Sequence, residues 1–370
     1  MNNRFKNIVN VIGSPKIFVY NVIWLMFLVV IGTLAQREQG LFIAQQKYFS
    51  SWFTWLGMLP IPSGRLIMMI MLVNLSCYFF RPHIFTKNKL GITIVHSGVI
   101  LLLLGGGLTA IFSSEGNMVI QEGTTVNFVE DYYLKEFAVV NTSNDDFDEF
   151  VVFDAPLLYG GEVLKESSIP FIIKVLEFYD NCDPLPRLYR GDESLKGMAK
   201  NFYLERKKNE KEFEQNISGI VYEIFDSNSE NDGIYIGYLG QPVSQTININ
   251  DTEYFLFLRR HRTYLPFKIN LVDFKKVLHP GTNIAKSYSS DIFLIDTDIT
   301  RRVLIQMNEP LRHRGYTFYQ ASFVENENSD TSVLAAVKNH GRLFPYISTI
   351  IMCLGLLFHI FVILSKRFKT

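Results

Sequence analysis

The chain has 370 residues, with 36 acidic and 36 basic side chains and therefore no formal net charge. Its three cysteines form no CxxC or CxxCH, which excludes a disulfide scaffold, a dithiol reductase and covalent c-type haem on this chain. The charge is divided unevenly: residues 1–112 hold nine Lys/Arg and one acid, Glu38, whereas residues 113–342 hold 24 basic and 35 acidic residues, the wrong sign for a nucleic-acid surface.

In chain order, residues 1–16 are polar and basic (Arg4, Lys6, Lys16). Residues 17–34 are an apolar run of near-spanning length, since a hydrocarbon core of about 30 Å takes roughly 20 apolar residues as a helix. No small-residue cleavage site follows, so the run reads as an uncleaved span. The loop 35–63 carries Trp52 and Trp55, which suit a segment at headgroup level. Residues 65–80 form a second, short span, and RPHIFTKNK (81–89) follows it. The third span, 90–112, contains one ionisable side chain, His96. Between it and the end of the chain lies a region rich in β-branched and aromatic runs of strand length: 171–179, 253–258, 291–296, 301–307 and 316–323. Turn signals at 160–161, 279–283 and 308–310 separate them, and 227–233 reads as a solvated loop. The stretch 194–208 is the one helical candidate in this region. Residues 343–370 supply a fourth span, with Pro345 near its start, and a basic tail.

The basic clusters at the N-terminus, at 81–89 and in the tail fall on one side of a four-span arrangement, and the positive-inside rule makes that side cytoplasmic. The expected fold is thus an integral membrane α+β protein of the inner (cytoplasmic) membrane of a bacterium. It has four transmembrane helices (17–34, 65–80, 90–112 and one within 343–364). A large extracytoplasmic β-rich, sandwich-like domain, residues 113–342, lies between the third and fourth.

Two residues stand out for chemistry. Ionisable groups inside spans are expensive and usually face a cavity, a partner or a cofactor. His96 lies seven residues beyond Lys89, about 10 Å deep at 1.5 Å per residue. Gly91, Gly98 and Gly105 recur every seven residues and form a small-residue stripe suited to close helix packing; His96 points away from it. His359 lies seven residues before Lys366, at the same depth by the same count. Two such imidazoles suit bis-histidine ligation of haem iron, a proton relay, or two separate hydrogen bonds. His83, His261, His279, His313 and His340 form no zinc-like spacing, and the arginines flanking His261 and His313 disfavour a cation.

Ordered motifs carry a resemblance. GTLAQ (32–36), GLF (40–42) and SWF (51–53) precede HSG (96–98) and EGNMVIQEG (115–123); LPFKINLVDF (265–274), HPGTNIAKSYSSDI (279–292) and MNEPLRHRGYTFYQASF (307–323) follow. Across nearly the whole chain these resemble the ResB (CcsB) family of System II cytochrome c biogenesis proteins. The resemblance implies a partner of CcsA/ResC type with a tryptophan-rich WWD loop, which this chain lacks. It implies transport or transient ligation of haem b, and its attachment to apocytochrome c outside, with thiol-reducing proteins supplied separately. The chain is then one subunit of a haem-attachment complex rather than a catalyst alone. In that family a histidine of the third span is an axial haem ligand whose counterpart lies in the partner, and His96 falls at that position. His359 as a second haem or metal ligand rests on the residue pattern alone. Two other functions fit the residues: a transmembrane b-type haem electron carrier, and a non-haem membrane-anchored scaffold.

Overall fold

The computed structural model describes residues 3–81, 84–143, 147–188, 192–227, 229–250, 252–283, 285–297, 299–325 and 329–368. His83, and Asn228 within the expected 227–233 loop, lie outside the described residues. The chain divides into a helical unit (Met1–Ser114, His313–Tyr316, Val337–Thr370) and a β-rich unit (Glu115–Arg312, Thr317–Ala336).

The helical unit contains α1 (Asn3–Ile12), α2 (Pro15–Gln39), α3 (Leu41–Gln45), α4 (Gly64–Tyr78), α5 (Leu90–Phe112) and α6 (Phe344–Arg367). Among the described residues three helical segments are long and apolar enough to cross a membrane: Asn7–Gln39, Leu90–Phe112 and Phe344–Arg367. Helix α4 is apolar but shorter, at 15 residues. The break between α1 and α2 follows from Pro15, which has no N–H to give and occupies the first turn of α2. Carbonyls released at such a break need donors where water is scarce. Asn74 Nδ2 donates to Ile12 O at 2.5 Å and Ser14 O at 3.0 Å, and Arg81 Nη2 donates to Gly13 O. The expected loop 35–63 is more ordered than its composition implies. Helix α3 runs into a single π-helical turn, Gln46–Ser50, and then a hairpin pairs Phe53–Leu56 with Leu59–Pro62. Trp24 Nε1 donates to Pro62 O at 2.9 Å, tying the hairpin back to α2.

The glycine stripe of α5 lies against α6. A Cβ added at Gly91 would stand 2.6 Å from His359 Cβ, one at Gly98 2.5 Å from Met352 Cγ, and one at Gly105 2.1 Å from Phe344 Cβ. Each step of seven along α5 is thus matched by a step of seven or eight back along α6, an antiparallel pair whose backbones approach at small residues. Gly355 completes it from the other side, 2.9 Å being the room a Cβ there would have to the Val95 nitrogen.

The β-rich unit holds one ten-stranded and one four-stranded sheet. The spine of the larger sheet is the 27-residue strand Thr252–Leu278, antiparallel to Thr125–Asn141 on one side and Ala285–Asp296 on the other. Glu149–Asp154 pairs with Thr125–Asn141. The smaller sheet runs Gly233–Tyr238, Gly219–Phe225, Ile172–Tyr179, Val163–Leu164. Alternating residues of both sheets, among them Phe137, Val139, Leu256, Leu258, Ile173, Val175, Ile220 and Tyr222, meet in one buried core, as two sheets with one apolar face each require. The helical candidate 194–208 does not form. Gly197, at φ +49°, turns the chain into a single 3₁₀ turn, Gly197–Lys200, and Phe202–Arg206 becomes a strand paired with Cys182–Pro186. Lys, Leu and Glu favour helix only weakly, and pairing overrides them.

Candidate functional site

His96 sits in the second turn of α5 and lines a cavity of about 340 Å³ within the helical unit. Its walls come from the α1–α2 break (Gly13, Pro15), α2 (Phe18, Val19), α4 (Asn74, Leu75, Tyr78) and α5 (Val95, Val99), with Arg81 beyond α4. Two neighbours fix the imidazole. Its Nδ1 lies 2.8 Å from Ile92 O; a carbonyl only accepts, so Nδ1 carries a proton, and in the neutral ring Nε2 is then the nitrogen with the lone pair. Tyr78 stacks on the ring, centroids 4.3 Å apart and planes at 22°. A histidine whose outer nitrogen is held by a backbone carbonyl is the usual form of a metal-ligating imidazole. The cavity therefore offers one oriented nitrogen donor, an aromatic slab, apolar walls and one guanidinium. Tyr78 and Arg81 have no motif that marks them in the sequence; the signal for Arg81 is a basic residue directly after an apolar run with no acid nearby.

His359 is not brought to this cavity. It packs against Gly91, on the face of α5 turned to α6, whereas His96 points to α2 and α4. The glycine register sets Leu354, not His359, level with His96. The expectation of matched depth assumes that Lys89 and Lys366 mark one level; the Gly91–His359 packing shows that they do not. His359 Nδ1 is buried without a hydrogen-bond partner.

A second cavity, of about 460 Å³, lies in the same unit between Trp52, Arg65, Met68, Leu103 and the pair Gly106–Gly107. It splits the GGG triplet: Gly105 is covered by α6, while Gly106 and Gly107 face open space. Among the described residues no histidine and no thiol lines it.

In the β-rich unit the structure assembles a charged cluster that no sequence motif marks. Glu136 and Arg259 are direct cross-strand partners, only 2% and 6% exposed, with Arg259 Nε 2.6 Å from Glu136 Oε1. A bulge between Arg260 and Arg262 turns His261 to the same carboxylate, Nδ1 2.9 Å from Oε2 and 3.5 Å from Asp154 Oδ1. The basic setting expected to disfavour a cation at His261 is neutralised in part: Arg262 pairs with Glu130 at 2.9 Å, whereas Arg260 donates to the backbone carbonyls Tyr132 O and Glu214 O and keeps its charge. The ligand atoms of Glu136, Asp154 and His261 lie within 4.8 Å of one another. Both oxygens of Glu136 are already taken by Arg259, His261 and the Arg262 N–H, so the cluster reads as a pin across three strands. Guanidinium stacking on Phe150 and Phe257, at 5.3 and 5.4 Å, completes it.

Cys182 is fully buried beside Ile217 O, at 3.4 Å from its Sγ. Burial first, and the Asp183 carboxylate second, push its thiol up to about 11, so thiolate is scarce at neutral pH and the group is a poor nucleophile. In the folded chain at pH 7.5, alkylation of Cys182 by a maleimide is expected to be at least about tenfold slower than in denaturant. Equal rates would mean that the site opens readily.

The family model described as the ResB-like family matches residues 86–204 and 240–345. Among curated proteins, Protein NrfI of Wolinella succinogenes is 22% identical over 277 residues, which cover 72% of this chain and 27% of that protein. The chain thus spans about a quarter of the length of that curated relative.

Proposed function

The chain belongs to the ResB-like family of cytochrome c biogenesis proteins, and from that premise we propose that it carries haem b through the membrane on His96 and, with a CcsA/ResC-type partner, presents it for attachment to apocytochrome c. The observation that carries this reading is the His96 cavity, where an imidazole with a free Nε2 meets apolar walls and a cation. Haem, as cargo, supplies the iron that an imidazole can hold and the side groups that become bonded to CxxCH thiols. The chain's own residues do the rest. The Ile92 carbonyl keeps the proton on Nδ1, Tyr78 holds the ring plane, and Phe18, Leu75, Val95 and Val99 keep water from the bound ring. Because His359, on α6, packs against Gly91 of α5 and away from the His96 cavity, the second axial ligand comes from the partner in this reading. Because Cys182 is buried and its thiol held protonated, reduced thiols are supplied by separate proteins, and this chain is a subunit of the attachment complex rather than a catalyst alone. The acidic β-rich unit serves to hold the apocytochrome near the partner.

The same reading makes four segments spans of the bacterial inner membrane: Asn7–Gln39, α4, α5 and α6. At 15 residues α4 is about 22 Å long, short of a hydrocarbon core but within what local thinning and flanking residues such as Phe79 and Phe80 accommodate. If α4 did not cross, Arg81, Lys87 and Lys89 would face away from the basic N-terminus, against the positive-inside rule. Both termini are then cytoplasmic and residues 113–342 extracytoplasmic.

Purification of the chain with and without a CcsA/ResC-type partner tests the reading. The complex is expected to carry haem with a low-spin, histidine-ligated spectrum, and the chain alone much less. A stoichiometric haem of reversible potential in the isolated chain would instead support an electron carrier, and haem in neither preparation a scaffold.

A further inference from the structure

We infer that Arg81 is the anchor for a carboxylate of the cargo, so that the His96 cavity selects an acidic tetrapyrrole through its side chains, with or without iron. This rests on the reading that the cavity accepts haem. Three observations carry it. First, Arg81 lines the cavity, its Nη2 is held by Gly13 O, and its Nε is buried with no hydrogen-bond partner. A buried cationic N–H without a partner is costly, and a carboxylate supplies the partner with a charge-assisted bond. Second, the described walls of the cavity offer no such group. Glu38 is the one acid in residues 1–112. It lies near the far end of α2, about 35 Å along the helix from Pro15, and among the described residues no acid lines the cavity. Third, the order of groups matches an amphipathic guest. Tyr78, the last residue of α4, stacks on His96, and Arg81 follows three residues later, beyond the helix end. A ring held at His96 with its carboxylates toward Arg81 keeps the charged edge out of the hydrocarbon, whereas the reverse orientation buries it.

The test uses the full chain in nanodiscs of neutral phosphatidylcholine, with metal-free protoporphyrin IX and its dimethyl ester as probes and porphyrin fluorescence as the readout. Wild type is expected to bind the free acid about tenfold or more tighter than the ester. Arg81→Gln should bring the ratio close to one; ester binding that persists, at whatever affinity, shows that the cavity is still formed. Arg81→Lys should retain part of the preference, having the charge without the fork of donors. His96→Ala should keep the full preference, since no iron is present. Equal affinities in wild type, or an undiminished preference in Arg81→Gln, would overturn the proposal. So would an Arg81-dependent retention of phosphatidylglycerol, in a second set of nanodiscs that contain it, without any acid preference, which would assign the site to a lipid phosphate. Iron ligation is read separately, from the haem spectrum of wild type against His96→Ala, so that either idea can fail without the other.

Discussion

Replacement of His96 by alanine is expected to remove haem from the complex with a CcsA/ResC-type partner and to abolish cytochrome c maturation, while the amount of protein in the membrane stays near normal. Abundance is spared because the imidazole holds little of the fold together. His96 bonds to Ile92 O of its own helix and stacks on Tyr78, and an aromatic pair contributes only about 0.5–1.5 kcal/mol beyond its burial. Neither interaction joins α5 to α6, which is the work of the glycine face. The nitrogen donor itself, by contrast, has no substitute in the cavity, because Tyr78 has its ring on the imidazole and Arg81 has no lone pair to give. Imidazole added to the variant should enter the vacated space and restore part of the activity. His359→Ala should leave haem in place. Full haem occupancy with an unchanged spectrum in His96→Ala would reduce His96 to a packing residue.

Arg259→Leu is expected to give a large loss of stability in the β-rich unit. Its partner Glu136 is 2% exposed and keeps only His261 Nδ1 and the Arg262 N–H, both on Oε2; removal of one member of a buried ion pair costs up to about 3–5 kcal/mol. For a unit of roughly 200 residues that corresponds to a fall in Tm of about 10 °C. The double variant Arg259→Leu with Glu136→Leu should recover much of it, since no charge is then stranded. Thermal unfolding of the full chain in detergent, followed by far-ultraviolet circular dichroism at β wavelengths, measures both. A single variant within about 2 °C of wild type would mean that water reaches Glu136.

What can be read from the residues is what depends on local pattern. The strands around 172–179, 291–296 and 316–323 are legible because β-branched and aromatic residues alternate there between turn signals. The glycine stripe is legible because its seven-residue repeat is a property of one helix. The charged cluster is not, because Glu136, Asp154 and Arg259 come from three strands, with Arg259 123 residues beyond Glu136. The bulge that turns His261 inward has no signature of its own either. The level of His359 escapes because counting from a terminal lysine measures depth only if both lysines sit at one height. The role of Arg81 escapes because the carbonyl it satisfies, Gly13 O, belongs to a helix break 68 residues earlier.

The pairing of α5 with α6 also has a consequence in time. Phe112 and Phe344 bracket the whole β-rich unit in the chain. A chain made at roughly 5–20 residues per second therefore keeps α5 waiting about ten to fifty seconds for its mate. During that interval Gly91, Gly98 and Gly105 form an unfilled furrow on a helix already in the bilayer, which lipid or the insertion machinery has to occupy. The helix synthesised after the β-rich unit must displace that temporary filling, so the order of synthesis lets the helical pair close only once the intervening β-rich unit has left the ribosome.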